Sequence, residues 1–126
     1  MLGSGFSGRV FAYAAPCDMR KSYEGLHAIV RNDIGDEILD GDLYLFTNRR
    51  RNRAKVLFFD GTGLCIFMKR IEKGLFAPLW KSTEEKTVSL SPSELQLYIE
   101  GSQLVGKIGL SPTKMSKEAL VIVKEK

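Results

Sequence analysis

"DLYLFTNRRRNRAKVLFFDGTGLCIFMKR", residues 42–70, is the stretch whose reading decides the fold. It parses into three strand-like runs, "DLYLFTN" (42–48), "AKVLFFD" (54–60) and "LCIFMKR" (64–70). All three are rich in the aromatic and branched side chains that suit a pleated surface. Their links are a basic turn and "DGTG" (60–63), whose glycines permit the positive φ of tight hairpins. Apolar residues fall on both faces of the runs, so both faces are expected to be covered, one by helices and the other by a partner.

Working outward, "RVFAYA" (9–14) reads as a first strand ended by Pro16. Asp18 then reads as the cap of a helix running to about Asn32, with Met19, Tyr23, Leu26 and Val30 as one apolar stripe. "TVSLS" (87–91) is a further strand. In "SPSELQLYIEG" (91–101) Ser91 is an N-cap, Pro92 takes the first helical position, Glu94 completes a capping box and Gly101 ends the helix. The expectation is one α+β domain over residues 1–126, an antiparallel sheet of about four or five strands with two packed helices. Residues 1–8 read as a flexible N-terminal segment. Residues 102–126 read as a Lys-rich tail, in which "ALVIV" (119–123) offers an edge strand.

The chain has 126 residues, enough for one core, and 44% apolar with 27% charged residues is ordinary for a globular protein. The net charge of +4 is unevenly spread. Residues 31–43 set Asp33, Asp36, Glu37, Asp40 and Asp42 against Arg31. Residues 44–74 set Arg49, Arg50, Arg51, Arg53, Lys55, Lys69, Arg70 and Lys73 against Asp60 and Glu72. A cationic centre of this kind favours a polyanion as partner, although part of it can simply neutralise the acids before it. No apolar run approaches the roughly 20 residues that span a bilayer. Cys17 and Cys65 share no short spacing, so free thiols in a reducing cytoplasm are expected.

Enzymatic readings find little footing. "GSGFSG" (3–8) has the glycine spacing of a dinucleotide site, but a strand follows it where that site needs a helix N-terminus. His27, the one histidine, lies beside the apolar stripe of its helix and reads as an ordinary helix-face residue. Clustered Cys and His ligands are lacking, and no cofactor or metal is called for. A carboxylate metal site of Asp18, Asp60 and Glu72, as a metal-dependent nuclease needs, stays open; Asp18 and Asp60 have sufficient structural roles as cap and turn.

The basic turn remains. Its bland reading is a solvated hairpin tip, but cations so closely spaced repel one another. Arginine forks suit phosphate oxygens, and position 70 returns to the end of the sheet where the turn lies. Arg49, Arg50, Arg51, Arg53, Lys55, Lys69 and Arg70 are therefore expected to form one nucleic-acid-binding patch.

"PCDMRKSYEGL" (16–26), "FTNRRRNRAKVLFFDGTGLCIFMKRIEKGLF" (46–76) and "SLSPSELQLYIEG" (89–101) together resemble the accessory protein of the IS-sixty-six insertion-sequence family, the TnpB type that is distinct from the RNA-guided nuclease of the same name. The motif positions are Asp18, Met19, Arg20 and Lys21, then Asn48, Arg49, Arg50 and Lys55, then Asp60, Gly61, Gly63, Lys69, Arg70, Glu72, Gly74 and Phe76. Cys65 stands where the family has a large aromatic residue, and "FAPLW" replaces its tryptophan-proline ending. The resemblance implies a bacterial mobile-element protein encoded beside a separate transposase and assisting transposition, with no catalytic residues supplied. DNA and the transposase or another element-encoded protein are the implied partners. The rivals are a pure protein-interaction subunit and the metal-dependent nuclease.

Overall fold

The computed structural model describes residues 8–81 and 83–101. The Lys-rich tail with "ALVIV", and all but the last residue of the N-terminal segment, lie outside the described residues. Five strands, β1 (Val10–Tyr13), β2 (Leu43–Thr47), β3 (Arg53–Phe59), β4 (Leu64–Arg70) and β5 (Thr87–Leu90), form one sheet in the order β4-β3-β2-β1-β5. The α+β class is as read from the sequence, and the three central runs fall within a residue of their expected bounds. One pairing differs: β1 lies parallel to β2, Val10 opposite Leu43, while the other three pairings are antiparallel. Parallel neighbours need a long crossover, and the helical segment between β1 and β2 supplies it.

β2 explains why both faces looked apolar. All five of its residues are buried, Leu43 and Leu45 on one face and Tyr44 and Phe46 on the other. The first face packs against α2 (Pro92–Ile99) and the segment carrying Phe76, Ala77 and Leu79. The second packs against Leu26 and Val30 of the helix that begins as α1 (Tyr23–Ala28). At β2 the chain thus covers both faces itself, which corrects the expectation that a partner covers one there.

α2 follows its sequence punctuation. Ser91 Oγ accepts from the Glu94 N–H at 3.0 Å, and Glu94 Oε1 accepts from the Ser91 N–H at 2.7 Å. Gly101 continues past the helix at φ +80°, a conformation that a side chain would strain.

The first helix does not follow it. Asp18 is not its cap. The Asp18 carboxylate takes the Arg20 N–H at 2.9 Å, and its carbonyl takes the Lys21 N–H at 3.1 Å, so residues 18–21 close a separate turn. The helix starts after Ser22, and Tyr23 of the expected stripe is largely exposed. Beyond Ala28 it widens into a π-helical stretch (Ile29–Ile34), where the Gly35 N–H reaches back to the Val30 carbonyl at 2.8 Å.

Candidate functional site

The turn between β2 and β3 is built by Asn48. Its Oδ1 accepts the N–H groups of Asn52 and Arg53, both at 3.0 Å, and its Nδ2 donates to Asn52 Oδ1 at 2.7 Å. Arg51 sits at φ +62°, in the left-handed region, and its carbonyl accepts the Phe76 N–H at 2.7 Å. The Asn52 carbonyl takes the Ile71 N–H at 2.8 Å. The segment after β4 therefore braces the turn from behind. Phe76 anchors that brace: it is buried and stacks on Tyr98 at 5.2 Å between ring centroids. Tyr98 Oη in turn donates to the Ala77 carbonyl at 2.8 Å and meets Thr47 Oγ1 at 2.7 Å.

Opposite the turn lies the 16–20 segment, held there because the Cys17 N–H donates to the Thr47 carbonyl at 2.9 Å. Between them opens a cleft of about 690 Å³. Pro16, Cys17, Asp18, Met19 and Arg20 form one wall, and Asn48, Arg49, Arg50 and Arg53 form the other. Two motifs 30 positions apart in sequence thus face each other across one opening.

The cations take different positions. Arg49, Arg50 and Arg53 are exposed at the cleft. Arg51 is half-buried in its turn role. Arg53 lies directly opposite Arg70 across the β3–β4 ladder, and Ala54 opposite Lys69. These positions extend the cationic end of the sheet beyond the cleft. Lys55 is set apart: it is 8% exposed, and its ammonium donates to the Lys21 carbonyl at 2.6 Å. Among the seven cations expected to share a patch, Lys55 is buried and turns inward.

Arg20 was read only as a family position, yet it projects from the cleft wall. The Asp18 carboxylate grips it through three guanidinium contacts, the shortest 2.7 Å. That side-chain pairing, with the Arg20 backbone bond, holds the Asp18 carboxyl down to about 2. Burial pushes the Cys17 thiol up to about 11, so at neutral pH it stands as an uncharged wall of the cleft. The signal for this half of the site was the "DMRK" motif itself, whose net charge of only about +1 does not stand out beside the basic turn.

The remaining motif residues divide between the two ends of the sheet. Asp60, Gly61 and Gly63 form the β3–β4 turn, where Asp60 Oδ1 accepts the N–H groups of Thr62 and Gly63 at 2.9 and 3.0 Å. Gly61 there has φ +100°. Glu72 pairs with Arg70 at 2.9 Å, and Gly74 turns the bracing segment at φ +80°. Asp18 and Asp60 lie at opposite ends of β3, on the order of 20 Å apart for a strand of that length. These carboxylates do not converge, and among the described residues no three His, Cys, Asp or Glu side chains gather to hold a metal ion. No helix among the described residues is long and apolar enough to cross a membrane.

Fold and cleft together define a small α+β sheet protein that presents an arginine-walled opening at one end of its strands. Residues 8–107 match the family described as IS66 Orf2-like protein, and the chain belongs to that insertion-sequence-associated family. It is similar to the uncharacterized protein y4hO of Sinorhizobium fredii, 35% identical over 101 residues, which covers 80% of this chain and 86% of that one. The uncharacterized protein y4jC of the same organism is 27% identical over 101 residues, covering 80% and 85%. No solved structure matches the chain significantly.

Proposed function

We propose that this chain is a non-catalytic accessory of insertion-sequence transposition that holds the phosphate backbone of DNA at its arginine-walled cleft. The observation that carries the reading is the cation placement at the β2–β3 end. Arg49, Arg50 and Arg53 line one opening with Arg20, and Arg53 directly opposes Arg70 on the next strand. Like charges facing each other across a ladder destabilise a sheet, so their joint presence favours an anionic partner that offsets the repulsion. Arginine forks donate paired hydrogen bonds to phosphate oxygens, and such contacts position a protein without reading sequence. Weak sequence preference in the isolated protein follows.

The same cations would also suit an acidic surface on a transposase, which is the rival reading. The nuclease reading loses its support, because the carboxylates it needs stand at the two ends of β3. A salt-dependent DNA titration decides between the first two. Binding that weakens steeply with salt supports the backbone reading; no binding to DNA at low salt, with transposase binding lost on removal of the arginines, supports the rival.

A further inference from the structure

β4 is one edge of the sheet, and its outer row of backbone groups has a definite composition. The Ile71 N–H points at Asn52 on the β3 side, and Arg53 pairs with Arg70. Hydrogen-bonding direction alternates along a strand, so Cys65, Phe67 and Lys69 face β3 while Leu64, Ile66, Met68 and Arg70 turn their N–H and C=O groups outward. Among the described residues nothing hydrogen-bonds to that outward row. Edge strands are commonly blunted by proline, a bulge or inward charges. The run Leu64–Met68 contains neither proline nor charge, its register with β3 is unbroken, and Met68 is 57% exposed.

The two ends of this edge differ in charge. At the Arg70 end lie the arginine turn, Arg53 and Lys69. At the Leu64 end lie Asp60 in the β3–β4 turn and Asp40, which bridges to Phe59. Beside Leu64 is also a shallow cavity of about 220 Å³ lined by His27, Glu37, Ile38 and Phe59. The polarity of the edge is therefore self-complementary when a second copy runs antiparallel, and self-repelling when it runs parallel.

We propose that β4 pairs antiparallel with β4 of a second copy about a two-fold axis at Phe67, joining the two sheets into one of ten strands. In that register all seven residues of each β4 overlap. Ile66 opposes Met68, and Leu64 opposes Arg70. Directly opposed side chains emerge on the same face, so Arg70 of each copy projects over the cavity beside Leu64, toward Glu37 of the other. No like charges oppose each other across the joint.

The register also sets Cys65 opposite position 69 of the second copy, in a closely spaced pair of the kind a disulfide can bridge. Within one chain the two positions are four residues apart along a strand, too far for such a bond. The test is mass by light scattering, with two variants. The wild-type chain is expected at twice 14.1 kDa. Met68→Pro is expected at the single-chain mass with unchanged circular dichroism, because its N–H faces away from β3. Lys69→Cys is expected to give a covalent dimer on mild oxidation, and to lose it when Cys65→Ser is added. A wild-type chain that stays at 14.1 kDa at every attainable concentration overturns the proposal, as does a dimer that Lys69→Cys fails to cross-link.

Discussion

Lys55 Nζ donates to the carbonyl oxygen of Lys21 at 2.6 Å, and this bond ties β3 to the segment that carries Asp18 and Arg20. One cation of the basic cluster thus serves the fold and sets the width of the cleft that its neighbours line. Lys55→Met keeps the aliphatic stem and removes the charged donor. The Lys21 carbonyl then loses its partner, and a hydrogen bond from a charged group is worth about 2 kcal/mol. Urea denaturation should show a loss of that order. The salt dependence of DNA binding should change far less than for Arg49→Ala.

Tyr98→Phe tests the brace behind the arginine turn. The Thr47 hydroxyl and the Ala77 carbonyl would both lose the phenol oxygen that joins them, while the stack on Phe76 persists. Leaving buried polar groups unpaired costs about 2 kcal/mol. A thermal midpoint lowered by several degrees is the expected result, with secondary structure intact.

Arg51→Gly should leave stability unchanged or raise it slightly. Arg51 occupies a left-handed conformation that costs a residue with a β-carbon about 1 kcal/mol and costs glycine nothing. The gain is opposed by the freer unfolded chain that glycine brings. A large loss on denaturation would mean that the Arg51 side chain, and not only its backbone, holds the turn.

The thiols should react in sequence. Cys17 is buried and its thiol is pushed up to about 11 by that burial; Cys65 is half-buried, with the Asp60 carboxylate accepting from its Sγ at 3.5 Å. Both are free, as expected from their spacing. A thiol reagent at pH 8 should modify Cys65 in the native protein and reach Cys17 only on unfolding.

Acid should loosen the two turns together. The Asp18 carboxyl is held at about 2 by Arg20, and that of Asp60 at about 2 by the N–H groups of Thr62 and Gly63. Both values lie below the ordinary carboxylate value of about 3.9. Their contribution is therefore complete above about pH 4 and is lost as pH falls toward 2. Stability measured against pH should decline across that window, and Asp60→Asn should flatten the decline.

The strands were legible because β2, β3 and β4 are each short runs of aromatic and branched residues bounded by an unambiguous turn, and α2 because its capping residues leave one solution. The parallel β1–β2 pair was hidden by the segment between them. Asp18 looked like a cap, whereas its carboxylate bonds locally to Arg20 and the helix begins at Tyr23. In the site, charge density pointed to Arg49, Arg50 and Arg53 but misjudged Lys55, since lysine's inward turn depends on a carbonyl 34 positions away. Arg20 was missed as a wall of the cleft for the same reason: its segment is brought to the turn by long-range bonds, Cys17 N–H to the Thr47 carbonyl and Lys55 to the Lys21 carbonyl.

The central claim is that the cleft cations hold a nucleic-acid backbone. The direct measurement is the affinity for double-stranded DNA across a series of salt concentrations, for the wild type and for Arg49→Ala, Arg50→Ala, Arg53→Ala combined. Three to five phosphate contacts predict a log–log slope of roughly −3 to −5 for the wild type, and the triple variant should lose about 2 to 3 from its magnitude. Its folding should be nearly untouched, because exposed charges contribute little stability. A wild-type protein with no affinity for DNA at low salt, or a triple variant with an unaltered slope, contradicts the account.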